Sequence, residues 1–120
     1  MRIWLCGLCV AVALPVGASD RMTIRVTPAQ ALAPSPLRVR VRIEPSAQNR
    51  SLTVTADSGE FFRSSEVPLD GDRAPKTIEV EFQSLPGGEY DVVGVVKDSA
   101  GQQRSVARSS ARLIALDGNH

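Results

Sequence analysis

Apolar and polar residues alternate along most of this chain. From residue 22 onward they do so in short runs, and nowhere does an apolar spacing of three or four residues persist over ten positions. Alternation places successive side chains on opposite faces of an extended backbone, so it predicts β-strands rather than helices. Pro, Gly, Asp and Ser cluster between the runs, as turns require. The pattern predicts seven strands, at residues 22–27, 37–43, 51–56, 61–67, 76–83, 89–97 and 103–114.

Two stretches depart from simple alternation. Residues 28–36 contain three prolines, which cannot donate a backbone hydrogen bond to a sheet, so this stretch is predicted to be edge or connecting chain. The run 89–97 is apolar on both faces, with Val92 and Val96 on one face and Val93 and Val95 on the other. A strand of this kind usually lies in the centre of a sheet or beneath a covering segment.

The first 18 residues have the composition of a secretory signal peptide. Met1-Arg2 supplies a positive start, residues 3–14 are almost wholly apolar, and Val16-Gly17-Ala18 offers the small residues that a signal peptidase reads. The apolar run is shorter than the roughly 20 residues that span a bilayer. We therefore expect cleavage after Ala18, one domain over residues 19–120 in the periplasm or outside the cell, and no stable membrane insertion afterwards. Cys6 and Cys9 leave with the peptide, so no disulfide is available to the domain.

One segment carries a family resemblance. Residues 85–90 read Leu-Pro-Gly-Gly-Glu-Tyr before the valine-rich run, and Asp98-Ser99-Ala100-Gly101 follows it. This resembles the sixth strand and its turns in bacterial immunoglobulin-like and fibronectin-III-like domains. The resemblance implies a seven-stranded Greek-key β-sandwich in which the Tyr90 hydroxyl bonds back to nearby backbone. Antibody-type domains bury a Trp and two Cys, which residues 19–120 lack, so the resemblance is to the fibronectin-like or bacterial form.

Charge and residue inventory narrow the possible functions. Without Arg2, 13 basic residues balance 13 acidic ones, which argues against a nucleic-acid partner. Residues 19–120 contain no Cys and a single His, His120, at the last position. No nucleophile motif or metal-ligand spacing is present, so we expect no enzyme, no catalytic residue, no metal and no cofactor. Asp70 and Asp72 read as a turn, since calcium requires six to eight oxygens.

Arginines line the outward face of the second predicted strand. Arg38, Arg40 and Arg42 alternate with buried positions, and this stripe suggests either a site for an anion or acidic glycan or a set of ion pairs. In the expected topology the second and fifth strands are antiparallel neighbours, which places Glu79 and Glu81 beside the stripe. Opposite charges across a strand pair attract each other. We therefore expect the arginines to be paired within the sheet.

The other sheet offers the candidate interaction surface. If Val92 and Val96 point inward, Val93 and Val95 point outward, and a flat patch of Val and Thr rimmed by Arg is a reasonable partner surface. The candidate interface residues are Thr53, Thr55, Val93, Val95, Val106, Arg108 and Arg112. The alternative is that such valines are an ordinary feature of a central strand or lie beneath a loop.

Phe61 and Phe62 are adjacent, so only one ring can point to a given face of the strand. The other ring is either an exposed contact for a sugar or peptide, or is folded under a loop, which we expect because a turn precedes it. Together these features predict an exported protein–protein interaction or structural accessory module with an unidentified protein partner. The alternative is a carbohydrate-binding module that takes a glycan. Asn49-Arg50-Ser51 also forms a glycosylation sequon.

Overall fold

The computed structural model describes residues 22–115 of the 120-residue chain. The proposed signal peptide at 1–18, its two cysteines and His120 lie outside the described residues. Eight strands and one short 3-10 turn follow in chain order: β1 (Met22–Thr27), β2 (Gln30–Leu32), β3 (Ser35–Ile43), β4 (Ser51–Asp57), β5 (Phe62–Pro68), the 3-10 turn (Gly71–Arg73), β6 (Thr77–Leu85), β7 (Gly88–Lys97) and β8 (Gln103–Ile114). Residues 22–115 contain no α-helix.

The strands form two sheets. One has three strands in the order β1-β3-β6, and the other has five in the order β2-β8-β7-β4-β5. All pairings are antiparallel except that between β2 and β8, which is parallel. The predicted β-sandwich class is therefore confirmed at the level of an all-β fold with two sheets. The predicted neighbour relation between the second and fifth runs is also confirmed, since β3 pairs with β6.

The additional strand, β2, lies in the proline-rich stretch. Residues 22–115 therefore contain eight strands where the alternation predicted seven. β2 has only three residues, and two backbone bonds flank it: Arg112 N donates to Ala29 O at 2.9 Å and Ala33 N donates to Ile114 O at 2.8 Å. Three residues are too few to show an alternating pattern. The conformation of β2 depends instead on its pairing with β8.

The core lies between the two sheets and contains the inward residues of both. Leu37, Val39 and Val41 from the three-stranded sheet are fully buried, as are Val92 and Val96 from the five-stranded sheet. Strict alternation along β3 and β7 produces these two inner faces. Apolar burial of this kind contributes about 25 cal/mol per Å² removed from water, so it dominates the stability of a domain without a disulfide.

Gly94 brings the two sheets into close contact. It lies on the inward side of β7, and a Cβ built on it would come within 2.7 Å of the Met22 Cε on β1. Met22 is 1% exposed, so its side chain fills the space that Gly94 leaves open.

A β-bulge adjusts the end of β6. The register moves from the Leu37 and Phe82 pair to the Ser35 and Leu85 pair, which gives β6 one more residue than β3. Ser84 takes up the irregularity with φ 52°, in the left-handed region. Phe82 and Leu85, three positions apart, are therefore both buried.

The 3-10 turn is attached to the loop before β4. Gly71 N donates to Asn49 O at 3.1 Å, and Leu69 N donates to Arg50 O at 2.9 Å. Gly71 is buried with φ 57°, and a Cβ on it would lie 3.0 Å from Ala47 O, so both the conformation and the space require glycine. The predicted turn at Asp70 to Asp72 thus packs against the loop at one end of the molecule.

Among residues 22–115, no helix is long and apolar enough to cross a membrane.

Candidate interaction surfaces

The predicted interface residues lie together on the outer face of the five-stranded sheet. We call this surface the valine face and define it by Thr53 and Thr55 on β4, Val93 and Val95 on β7, and Val106 and Arg108 on β8. The register places Thr53 and Val106 on either side of Val95, and Thr55 and Arg108 on either side of Val93. The face therefore consists of two cross-strand rows that contain all six of these residues.

The valines of this face are half-buried although no other segment of the described chain forms a third layer over them. Their burial comes from neighbours in the same face, because directly opposite residues of antiparallel strands have Cβ atoms about 4.5–5.5 Å apart. Arg108 is exposed and forms no salt bridge within residues 22–115. The six residues of the valine face thus form a flat centre of Val and Thr beside Arg108, which has no ion pair within residues 22–115.

Arg112 lies on the same side of β8, nearer its end. Its Nη2 forms an ion pair with the Glu89 carboxylate, its cross-strand partner on β7. On its other side lies Gln30 of β2. Arg112 therefore differs from Arg108, because its charge is already balanced within the sheet.

The two phenylalanines correct one expectation. Phe61 packs against the core, and the Arg63 guanidinium lies 5.1 Å from the centre of its ring. Phe62 is 58% exposed, so the expectation that a loop covers the second ring was wrong. Phe62 pairs with the exposed Asp57 on the outward side of β4, so its ring lies on the side of the sheet that carries the valine face.

Two further apolar residues of this side were missed by sequence reasoning. Leu32 is 57% exposed and Ile114 is 38% exposed, and they are register partners across β2 and β8. Ile114 follows the buried Leu113, so it points outward. Ile114 belongs to a predicted strand and was detectable from alternation, whereas Leu32 lies in the unpredicted β2. The three large exposed apolar side chains of residues 22–115 thus all lie on the outer side of the five-stranded sheet.

The outer side of the three-stranded sheet is polar, and we call it the arginine face. It consists of three cross-strand rows: Thr23, Arg42 and Thr77; Arg25, Arg40 and Glu79; and Thr27, Arg38 and Glu81. Two shallow cavities of about 340 Å³ and 240 Å³ lie on it, and Arg25 and Arg40 line both.

The predicted ion pairs are present on this face. Arg40 donates to the Glu79 carboxylate from Nε at 3.0 Å and from Nη2 at 2.7 Å. The Arg38 Nη2 lies 4.0 Å from the Glu81 carboxylate. Hydrogen bonding and the positive charge of Arg40 hold the pKa of Glu79 below its ordinary value. The expectation that the stripe is balanced within the sheet is therefore confirmed for Arg38 and Arg40.

The balance is incomplete for the other two arginines of this face. Arg42 lies between two threonines, and Arg25 lies directly opposite Arg40, a residue of the same charge. Neither Arg25 nor Arg42 forms a salt bridge within residues 22–115. The face therefore carries four guanidinium groups against two carboxylates.

Tyr90 closes one end of the core. Its ring is 1% exposed, and its hydroxyl donates a 2.7 Å hydrogen bond to the Pro86 carbonyl. Burial raises the pKa of this hydroxyl, because a phenolate there would lose its hydration. The hydrogen bond back to nearby backbone that the resemblance implied is thus present.

Asn49 has a structural role. It is 5% exposed, its amide donates to Glu44 O at 3.3 Å, and its Oδ1 accepts from Arg104 Nε at 3.3 Å. Because Asn49 is buried, a glycan on its amide nitrogen would have to displace the residues packed around it, so the sequon is blocked in the folded domain.

No known family and no curated protein matches the sequence. Several solved structures share the fold. A superoxide reductase (neelaredoxin) from Ignicoccus hospitalis aligns at a TM-score of 0.50 and 14% identity, over 81% of this chain and 85% of that protein. The human F-spondin reeler domain aligns at a TM-score of 0.51 and 14% identity, over 78% and 88%.

A family 76 glycoside hydrolase from a bovine Bacteroides thetaiotaomicron strain aligns at a TM-score of 0.55 and 14% identity. The alignment covers 76% of this chain but only 20% of that protein, so this chain spans about a fifth of its length. At these identities the three likenesses establish a shared fold alone.

The comparison corrects the prediction that the chain is not an enzyme. That prediction was wrong, because the superoxide reductase is an enzyme with the same fold. Within residues 22–115, no group of three His, Cys, Asp or Glu side chains is placed to hold a metal ion. The described residues thus offer two surfaces, the valine face and the arginine face, as candidate sites.

Proposed function

We propose that this domain acts through protein–protein contact, as an interaction or structural accessory module, and that the valine face is its contact surface. One observation carries the proposal: the large exposed apolar residues and the valine rows share the outer side of a single sheet, whereas the outer rows of the other sheet are entirely polar. Segregation of this kind is typical of interaction surfaces.

The dimensions of this side are adequate for an interface. Five strands span about 20 Å between the outermost axes, and the ten residues of β7 run for roughly 33 Å. A standard interface buries about 800 Å² on each partner, and the area enclosed by these two lengths is of the same order. The flat centre of Val and Thr would form the dry core of the contact.

Charge suggests the chemistry of the partner. Arg108 borders the apolar centre without an ion pair inside residues 22–115. The occupant that fits is a protein surface with an apolar strip and a carboxylate opposite Arg108. Such a contact favours association through complementary potential as well as apolar burial.

The test compares two variants with equal added charge. Val93→Glu with Val95→Glu changes the valine face, and Thr27→Glu with Thr77→Glu adds two charges to the arginine face. A partner is first isolated from extracts of the source cells and purified, and its affinity is then measured by calorimetry. We expect the valine-face variant to bind at least tenfold more weakly and the control to stay within twofold.

Equal affinity of the two variants for the purified partner would contradict the proposal. Sedimentation tests whether wild type is itself a dimer. If it is, and if the valine-face variant is monomeric while the control variant is still a dimer, the partner of this face is a second copy of the chain. Urea unfolding of each variant checks that the fold is retained.

A glycan ligand is the second candidate, and Phe62 favours it. An aromatic ring that is 58% exposed is available for contact with the face of a sugar. Binding to a neutral glycan that Phe62→Ala abolishes and Val93→Glu leaves unchanged would favour this function over protein contact. Absence of binding across a glycan array would eliminate it.

The finer classification and the location of the domain are part of the proposal. The strand order β1-β3-β6 against β8-β7-β4-β5 and the Tyr90 hydrogen bond support an immunoglobulin or fibronectin-III-like Greek key. The composition of residues 1–18 supports export to the periplasm or the medium and cleavage after Ala18. This cleavage would be contradicted if protein recovered from the cell envelope had the intact mass of a chain that begins at Met1.

A further inference from the structure

We propose that the arginine face binds an acidic polysaccharide, a chain of sugars bearing carboxylate or sulfate groups. The first reason is the excess of positive charge. Arg25 lies directly opposite Arg40, and like charges in this arrangement repel each other. Glu79 bonds Arg40 from its other side, so Arg25 is left without an anion inside residues 22–115. A ligand anion placed over this pair would relieve the repulsion.

The second reason is the geometry of the cations. Directly opposite residues have Cβ atoms about 5 Å apart, and successive rows on one face are about 7 Å apart along the strand. Arg25 and Arg42 therefore lie on neighbouring strands and in neighbouring rows. The cavity of about 340 Å³ on this face is lined by both of them, together with Arg40 and two threonines. Each guanidinium group can bind two oxygens of one carboxylate or sulfate group. Two arginines on neighbouring strands can therefore bind two acidic groups that are separated along a sugar chain.

The third reason is the chemistry between the cations. Thr23 and Thr77 lie on either side of Arg42, and their hydroxyls can both donate and accept hydrogen bonds. The carboxylates of Glu79 and Glu81 accept hydrogen bonds from hydroxyl groups. Sugars supply hydroxyls between their acidic groups, so such a face can satisfy both components of an acidic polysaccharide.

Other polyanions fit this face less well. The three rows contain no aromatic side chain on which a base could stack and no apolar side chain that could enter a bilayer. Duplex DNA carries a charge every ~1.7 Å, so its phosphates would come close to Glu79 and Glu81. At the margin, Lys76 and Glu44 are both near Arg42, and their opposite charges cancel.

The experiment measures binding of the purified protein to polygalacturonate, which bears carboxylates, and to dextran sulfate, with uncharged dextran as the control polymer. Arg25→Gln with Arg42→Gln removes the two unpaired charges. Arg63→Gln with Arg108→Gln removes two charges elsewhere and is the matched control. None of these four arginines forms a salt bridge within residues 22–115.

We expect wild type to bind at least one acidic polymer and not dextran at 50 mM salt. The Arg25 and Arg42 variant should bind at least tenfold more weakly, and the control should stay within twofold. The dependence of affinity on salt should also become less steep in the first variant only, since fewer counterions are released. Preference for one polymer over the other identifies carboxylate or sulfate as the recognised group.

Three results would overturn the inference. One is the absence of binding to either polymer at 50 mM salt. Another is an equal loss in both variants, which would indicate general charge attraction without a site. The last is tighter binding to vesicles of anionic phospholipid than to either polymer, which would assign the face to a membrane surface. Because Arg25→Gln removes a repulsive pair, the variant is expected to fold, and urea unfolding verifies this.

Discussion

At the scale of single residues, a buried hydroxyl and a buried amide set the ends of the domain. Tyr90 fills one end of the core and donates a hydrogen bond to the Pro86 carbonyl. At the other end, Asn49 bonds Glu44, in the loop before β4, and Arg104, at the start of β8. Polar groups of this kind must be satisfied when they are buried, because an unpaired group forfeits its hydration without compensation. Each of them fixes the position of a loop relative to a strand.

Tyr90→Phe should lower the free energy of unfolding by about 1 kcal/mol at neutral pH, the usual net contribution of one hydrogen bond. For a domain of this size that corresponds to a fall of roughly 4–8 °C in melting temperature. Thr77→Val, which removes an exposed hydroxyl of a strand, is the control and should change little. If the two variants melt together, the Tyr90 hydrogen bond contributes nothing measurable.

The difference in stability between wild type and Tyr90→Phe should also depend on pH in the alkaline range. The pKa of Tyr90 is raised above its ordinary value of 10.0 in the folded state, so folding favours the protonated phenol. The stabilising contribution is complete below pH 10.0 and is lost as the pH rises through the folded pKa. The advantage of wild type over Tyr90→Phe in urea should therefore shrink above about pH 10, the ordinary tyrosine value.

Sequence reasoning placed correctly those residues whose position follows from alternation or from one local motif. Tyr90 belongs to such a motif, and Val93 and Val95 follow from the period of β7. Phe62 was placed wrongly because both phenylalanines are apolar, and only the register with Asp57 decides which ring points outward. Asn49 was interpreted only as part of a glycosylation sequon, because its hydrogen bond with Arg104, 55 positions away, leaves no signal in the local sequence.

At the scale of elements, the cross-strand rows determine which charges meet. The antiparallel pairing of β3 with β6 was predictable from the expected topology, and with it the two ion pairs of Arg38 and Arg40. The pairing of β1 with β3 places Arg25 on the same face, but the alternation along residues 22–27 does not indicate which strand lies beside it. The excess of charge on the arginine face therefore depends on the order of all three strands.

Replacing both glutamates of the arginine face, with Glu79→Lys and Glu81→Lys, should lower the melting temperature by a few degrees. The two attractive rows become repulsive, and four cations already lie on the face. The groups are exposed, so the effect should decrease as salt screens the charges. The control is Glu60→Lys with Glu66→Lys. Glu66 lies on β5 of the other sheet, and Glu60 lies in the turn before β5. An equal loss in both variants would show that the pairing with arginine is unimportant.

Acid pH should reveal the Glu79 pair on its own. The bond with Arg40 holds the pKa of Glu79 below its ordinary value of 4.5, so folding favours the carboxylate. The stabilisation is present above pH 4.5 and is lost as the pH falls through the folded pKa. The difference in melting temperature between wild type and Glu79→Gln should therefore disappear at strongly acidic pH. A difference that is constant from neutral to acidic pH would exclude this ion pair as its source.

At the scale of the whole molecule, two sheets with different outer faces enclose one core. The all-β class and the two inner faces were predictable, since alternation assigns each residue to one side of its strand. The order of strands within each sheet came only from the expected topology, and β2 was missed because its partner and not its own sequence makes it a strand. Whether an outer face is functional depends on which strands are neighbours, and that information is distributed over the whole chain.

This arrangement predicts that the two faces act independently. Packed sheets lie about 10 Å apart, and the valine face and the arginine face point in opposite directions, so no side chain belongs to both. Effects of substitutions at such separations usually add. Val93→Glu with Val95→Glu should leave polygalacturonate or dextran sulfate affinity within twofold of wild type. Arg25→Gln with Arg42→Gln should likewise leave affinity for the protein partner unchanged, and the quadruple variant should show both losses at their separate sizes. If the polymer instead competes with the partner for wild type, the two ligands share one surface, and the separation of roles between the sheets is wrong.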